Sequence, residues 1–143
     1  MLSIEEAGNA LVSLIDVMHD AGTPTFPEEA AAITPGAVRV IQHVQNHPGT
    51  GVLDVAGCTG LAKPTVSLLV KDLAAKGIVS RKAEKEDGRR ICLHLTRKGE
   101  RLYKLIQDYR GKKAEKILSC LNIEEADTVG ALLAKIVDYW RNT

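Results

Sequence analysis

The sequence has only three cysteines, Cys58, Cys92 and Cys120, and no CxxC pair. Three scattered thiols exclude a disulfide framework or a thiolate metal cage. No run of about 18 apolar residues occurs, so no continuous segment has the length to span a bilayer. The first residues, Met1-Leu2-Ser3-Ile4-Glu5-Glu6, carry acids where a secretory signal carries bases. These absences predict a reduced, soluble, cytoplasmic protein with no membrane partner. Also missing are a GxSxG elbow, an HExxH pair, a phosphate-cradling glycine loop and carboxylates paired at a useful spacing. Neither an enzyme nor a cofactor or resident metal is expected.

A charge excess is missing as well. Nineteen Lys and Arg face eighteen Asp and Glu, a formal net charge of +1 over 143 residues. That balance excludes a histone-like polycation and a highly charged disordered chain. With 45% hydrophobic residues, a chain of this length can bury roughly two-thirds of its unfolded surface in its own core. The average nonetheless hides a segregation. Residues 61–113 hold fifteen bases and six acids, a surplus of nine positive charges, and the remainder is negative by eight. A basic segment of this size suits a polyanion, although solvated helix faces of uneven charge give the same count.

Hydrophobic periodicity divides the chain into helices and one hairpin. Ser3 and Glu6 form a capping-box pattern ahead of an amphipathic helix over 3–19. Residues 20–33 form a linker with a helical turn at 28–32. Thr34-Pro35 starts a second helix, a hydroxyl cap followed by proline, which Pro48-Gly49 stops. A short helix over 52–57 and the turn Cys58-Thr59-Gly60 lead to a third over 62–76. Its apolar stripe is Val66, Leu69, Val70 and Leu73, and Gly77 ends it. Residues 78–82 and 91–95 pair as a hairpin, with Ile91, Leu93 and Leu95 alternating against Cys92 and His94. Between them lies a polar tip with an Asp-Gly turn. Thr96 caps a long helix to 121, and Asn122 with Glu125 starts a last one striped by Val129, Leu132, Leu133, Ile136, Val137 and Trp140. The fold class is mainly α with a small β-hairpin (α+β).

Two short helices joined by a tight turn and followed by a basic-tipped hairpin make a winged helix-turn-helix. The DNA major groove admits one helix. The helix over 62–76 offers Lys63, Thr65, Ser67 and Lys71 beside its apolar stripe. Arg89 and Arg90 at the hairpin tip suit a narrow minor groove, where negative potential is enhanced. Asp87 repels phosphate, so its expected task is to orient an arginine, with Arg89 nearest in spacing.

Five pieces in order resemble the MarR (multiple antibiotic resistance regulator) family. Thr34-Pro35-Gly36-Ala37-Val38-Arg39-Val40-Ile41 resembles the opening of its DNA-binding core, and Lys63-Pro64-Thr65-Val66-Ser67 the start of its recognition helix. Lys76-Gly77-Ile78-Val79, Asp87-Gly88-Arg89-Arg90 and Leu95-Thr96-Arg97-Lys98-Gly99 resemble the helix end, wing and wing exit. The likeness covers roughly residues 33–102. It implies a homodimeric regulator, usually a repressor, on a pseudo-palindromic operator of duplex DNA. It also implies terminal helices that form the dimer and a small-molecule effector or oxidant acting between them and the winged domains. Pro64 and Leu68 join the expected DNA-contacting set.

Two departures stand out: Ala62 replaces the family's frequent hydroxyl cap, and Leu68 replaces a basic or polar residue, favouring a thymine methyl. The N-terminal cysteine of the peroxide-sensing branch is absent. The expected domains are a DNA-binding unit over 33–100 and a dimerisation region over 1–20 and 101–143. The apolar stripes of 3–19 and 101–141 exceed what one winged domain of about 65 residues covers.

His43 and His47 share a metal-ligand spacing of i, i+4, with His19 as the one further ligand in view, and a solvated pair is the commoner case. Cys58 and Cys92 are more often inert than redox-active, although Arg81, Arg89 and Arg90 would give Cys92 an electropositive setting. Trp140 suits packing better than a ligand box. The competing function is a winged helix that binds protein rather than DNA.

Overall fold

Among the described residues the elements run α1 (Ile4–Asp20), α2 (Pro35–Asn46), α3 (Val52–Thr59), α4 (Lys63–Ala75), β1 (Val79–Ala83), β2 (Ile91–Leu95), α5 (Arg97–Leu118) and α6 (Ile123–Arg141). The computed structural model describes residues 1–20, 30, 32–83 and 90–143. The expected turn at 28–32 lies largely outside that set, as does the hairpin tip over 84–89. The order is the mainly α, single-hairpin architecture expected. No single helix among the described residues is long and apolar enough to cross a membrane. The chain divides into two units, Thr25–Tyr109 and Met1–Pro24 with Arg110–Thr143.

All the buried hydrophobic side chains belong to the first, winged unit. Helix α2 contributes Val40, Ile41 and Val44, α4 contributes Val66, Val70 and Leu73, and Val55, Leu93 and Ile106 close the core. Each such side chain, fully buried, stabilises the fold by roughly 1.5–3 kcal/mol. Local chemistry starts and stops these helices. Thr34 Oγ1 accepts from the Ala37 N–H at 3.2 Å, with Pro35 in the first turn of α2. Helix α3 runs two residues beyond the expected stop at 57. The Thr59 hydroxyl donates to the Val55 carbonyl at 2.6 Å, and Gly60 takes the left-handed cap at φ 74°. From there α4 leaves at 119° to α3, within the range of a DNA-binding helix-turn-helix. The Arg39 guanidinium donates to the Thr59 carbonyl and ties this turn to α2.

Helix α4 ends on Gly77, as the sequence predicts. The Gly77 N–H donates to Ala74 O at 3.0 Å and the Ile78 N–H to Leu73 O at 2.9 Å, a Schellman closure. That use of Ile78 moves the start of the first strand to Val79, one residue later than expected. The strands pair antiparallel, Val79 with Leu95, Arg81 with Leu93 and Ala83 with Ile91. Of the alternating residues Leu93 is buried and Leu95 half-buried, while Ile91 is exposed. Ile91 stands towards the hairpin tip, two residues past Leu93. A bridge missing from the sequence reading links Thr50 to Leu93: the Leu93 N–H donates to Thr50 O and the Gly49 N–H to Leu93 O, both at 2.8 Å.

The Thr96 hydroxyl fastens the start of α5. It donates to Gly77 O at 2.6 Å and accepts from the Gly99 N–H at 3.0 Å, while the Thr96 N–H donates to Ile78 O at 3.0 Å. Gly99 is buried against that same carbonyl. A Cβ there would overlap the Ile78 oxygen and lie 3.3 Å from Leu95 Cβ.

In the second unit, Ser3 and Glu6 exchange capping bonds of 3.1 and 2.8 Å at α1. Asn122 and Glu125 do the same at 2.9 and 3.0 Å at α6. Helix α5 stops at Leu118 rather than 121, because Ser119–Leu121 form a turn in which the Leu121 N–H donates to Leu118 O at 3.0 Å. The apolar stripes of α1 and α6 stay largely exposed: Leu11, Ile15 and Met18 on one, Leu133, Ile136 and Trp140 on the other.

The Ile78 contact yields a direct test. Gly99→Ala is expected to destabilise the protein by about 1–3 kcal/mol in urea unfolding, because the methyl forces backbone apart. Gly111→Ala, on the same helix with open space around it, should stabilise it by about 0.5–1 kcal/mol. Equal effects at both positions would contradict the close approach.

Candidate nucleic-acid interface

Helix α4 buries one face and presents the other. Val66, Val70 and Leu73 are inward, while Lys63, Pro64, Thr65, Ser67, Leu68 and Lys71 are exposed. Leu68 is 69% exposed, a large apolar side chain held in solvent by the opposite stripe. Every α4 residue expected to meet DNA therefore shares one surface. The N-terminus of the helix has no side-chain cap, since Ala62 at φ −64° and ψ 143° provides none. A missing cap costs about 1 kcal/mol, and amides left open at a helix start suit phosphate oxygens.

Asp72 is a residue that the pattern of hydroxyls and bases on α4 does not single out. It lies on the outer part of α4, and its Oδ2 accepts from Lys76 Nζ at 2.9 Å. Lys76 is thereby engaged, and its own carbonyl accepts from Lys98 Nζ at 2.8 Å. The i, i+4 spacing of Asp72 and Lys76 was the available signal.

On the wing, Arg81 and Lys82 are exposed on β1, and Arg90 is exposed where the chain enters β2. Asp87 and Arg89 lie outside the described residues, so the orienting role expected of Asp87 has no structural description. Cys92 is half-buried opposite Lys82. Cys58 and Cys120 are exposed, and all three thiols are free.

His43 and His47 do meet, with ring centroids 4.6 Å apart. Among the described residues no three His, Cys, Asp or Glu side chains are grouped to hold a metal ion. His43 instead serves the turn that carries the Thr50–Leu93 bridge, its Nε2 lying 3.2 Å from Thr50 Oγ1. Burial holds His43 below the ordinary imidazole pKa and His47 pushes the same way, with Asp54 opposing.

An exposed helix set at 119° to its partner, beside a two-stranded wing with basic residues, defines a winged helix-turn-helix domain. The MarR family model matches residues 33–90. A Thauera aromatica protein, named as a transcriptional regulatory protein for the hcr operon, is 26% identical over 104 residues. That match covers 73% of this chain and spans 63% of the relative's length. Wild-type MarR from E. coli, in its apo form, superposes with a TM-score of 0.76 at 16% identity, covering 95% of this chain and 97% of that one. FabT of Streptococcus pneumoniae, solved in complex with DNA, gives a TM-score of 0.73 at 20% identity, covering 98% and 99%. These structural likenesses concern the fold. The domain over residues 33–90 is thus of the MarR type, a family of transcriptional regulators rather than enzymes.

The histidine contact sets a pH dependence. Because the folded state disfavours protonated His43, its stabilising effect is full above the ordinary value of about 6.5. It is lost as the pH falls through the lower folded value. The urea midpoint should therefore drop between about pH 7.5 and 5.5, and His43→Gln should flatten part of that drop. An unchanged pH profile in the variant would remove His43 from the account.

Proposed function

We propose that this protein is a sequence-specific DNA-binding regulator of transcription, acting in the cytoplasm as a homodimeric repressor relieved by a small ligand. The observation that carries it is the outer face of α4. A helix whose inner stripe is locked into the core presents Lys63, Thr65, Ser67, Leu68 and Lys71 together to solvent. In this scheme residues 33–100 dock on duplex DNA, with α4 in the major groove and Arg89 and Arg90 of the wing in the minor groove. Lys63 and the open helix start meet phosphate, as does Lys71. Thr65, Ser67 and Leu68 face base edges, with Pro64 shaping the entry and Asp87 orienting Arg89. The surplus of nine positive charges over 61–113 favours docking on a polyanion. FabT, a fold neighbour solved with DNA, adds support by analogy of architecture.

The dimer draws its support from the exposed apolar faces of residues 1–20 and 101–143. Leu133, Ile136 and Trp140 on α6 stand in solvent in a single chain, Trp140 at 72% exposure. Apolar area of this kind is normally covered by a partner, and a two-fold axis would place two α4 helices about one DNA turn apart on a pseudo-palindromic operator. A small-molecule effector has a candidate site on the winged unit itself. A cavity of about 370 Å³ is floored by Ile33, Ile78, Leu102 and Leu105 and rimmed by Lys76, Lys98 and Arg101. Its lining suits an anion with an apolar body, and its walls are the residues that join α4 to α5.

Two measurements test the proposal. Affinity for duplex DNA should fall steeply as salt rises, and Arg89→Ala with Arg90→Ala should lower the slope of log K against log salt by about one per arginine. Salt-independent binding, or none to any duplex, would favour the protein-binding alternative. In sedimentation at micromolar concentration the chain should run at twice 15.5 kDa, and Trp140→Glu should shift it towards monomer. A wild-type monomer would refute the dimer.

A further inference from the structure

One acid, Asp72, stands on the exposed side of α4 among residues proposed to meet DNA. Asp72 lies one turn beyond Leu68 on the exposed side of the helix, and its side chain is 55% exposed. A carboxylate facing a polyanion is repelled by phosphate, and an exposed i, i+4 pair adds little to helix stability. It nonetheless has a partner on its own helix. Oδ2 accepts from Lys76 Nζ at 2.9 Å. The backbone of Lys76 is tied in turn: its N–H donates to Asp72 O at 3.0 Å and its carbonyl accepts from Lys98 Nζ at 2.8 Å. The result is an exposed acceptor whose charge is partly offset by its own lysine.

The donors that such an acceptor can meet in a major groove are the exocyclic amino groups. Guanine presents two acceptors there and thymine an acceptor with a methyl. Adenine presents an amino group beside the N7 acceptor, which repels a second carboxylate oxygen. Cytosine presents its amino group alone. Leu68, four residues earlier, lies about 6 Å along the helix, or about two base pairs at 3.4 Å each. It is the side chain suited to a thymine methyl.

We propose that Asp72 is a specificity-determining residue that reads a cytosine amino group within about two base pairs of the contact made by Leu68. This rests on the DNA-binding function proposed above. Lys76 positions the carboxylate and offsets its repulsion from neighbouring phosphates.

The test is selection of duplexes from a randomised pool by the full chain, followed by affinity measurement on the enriched half-site. The wild-type half-site should hold a fixed C·G pair, and replacing that C by G should weaken binding about tenfold or more. Asp72→Asn should move the preference at that one position towards adenine, which an amide pairs with through N6 and N7. Asp72→Glu, which keeps the charge but shifts the acceptor, should relax the position. Lys76→Met should keep the cytosine preference at lower affinity. Thermal melting of each variant checks that it is folded. If Asp72→Asn and Asp72→Glu enrich the same half-site as wild type, Asp72 is only a solvated ion pair and the proposal fails. If the wild type itself enriches no duplex, the DNA-binding function fails first and takes this role with it.

Discussion

Everything exposed on α4 is exposed because Val66, Val70 and Leu73 are buried. That stripe packs with Val40, Ile41 and Val44 of α2 in the core of the winged unit, and rotation of the helix would bring its polar face inward and its apolar face out. Burying a polar group without a partner costs more than most single contacts provide, so the rotation is strongly resisted. The same packing that stabilises the domain thus fixes which side chains face outward. Leu68 follows from this constraint: it cannot join the core without expelling the stripe opposite.

Three ties to backbone carbonyls then hold the neighbours of α4 in register. The Arg39 guanidinium on the Thr59 carbonyl secures the turn before it. The Schellman closure on Gly77 and Ile78 secures its end. Thr96, bonded to Gly77 and Ile78 while capping α5, connects that end to the long helix, with Gly99 giving the clearance. The Thr50–Leu93 bridge brings the wing strand to the α2–α3 turn, which His43 of α2 contacts. The cavity rimmed by Lys76, Lys98 and Arg101 lies at the Ile78–Thr96 joint. A ligand there would press on the residues that couple α4 to α5.

Much of the fold was legible because it is local. The caps at Ser3, Thr34 and Asn122, the stop at Gly77 and the stripe of α4 depend on residues three or four apart, the reach of a helical turn. What escaped is what sequence distance hides. Gly99 is small because of a carbonyl 21 residues earlier, and Thr50 pairs with Leu93 across the whole of α3 and α4. Ile91 fits the strand alternation yet is exposed, because alternation gives a face and not the extent of the core. On α4 the apolar, hydroxyl and lysine residues of the outer face could be read from the spacing. Asp72 was passed over because an acid does not suit a polyanion until its lysine partner and exposure are seen.

The near-neutral charge of the chain takes its meaning from this arrangement. A uniformly basic protein coats nucleic acid regardless of sequence, whereas in the proposed function a basic winged unit with acidic flanks and an acid on α4 would restrict productive contact to one face. The most direct test of the central claim is a hydroxyl-radical footprint of the full chain on a duplex it has selected. Two protected tracts centred about one helical turn, or 10–10.5 base pairs, apart are expected, both weakened when Leu68 and Lys71 are replaced by alanine. A uniform footprint without boundaries, or protection that survives those substitutions unchanged, would contradict it.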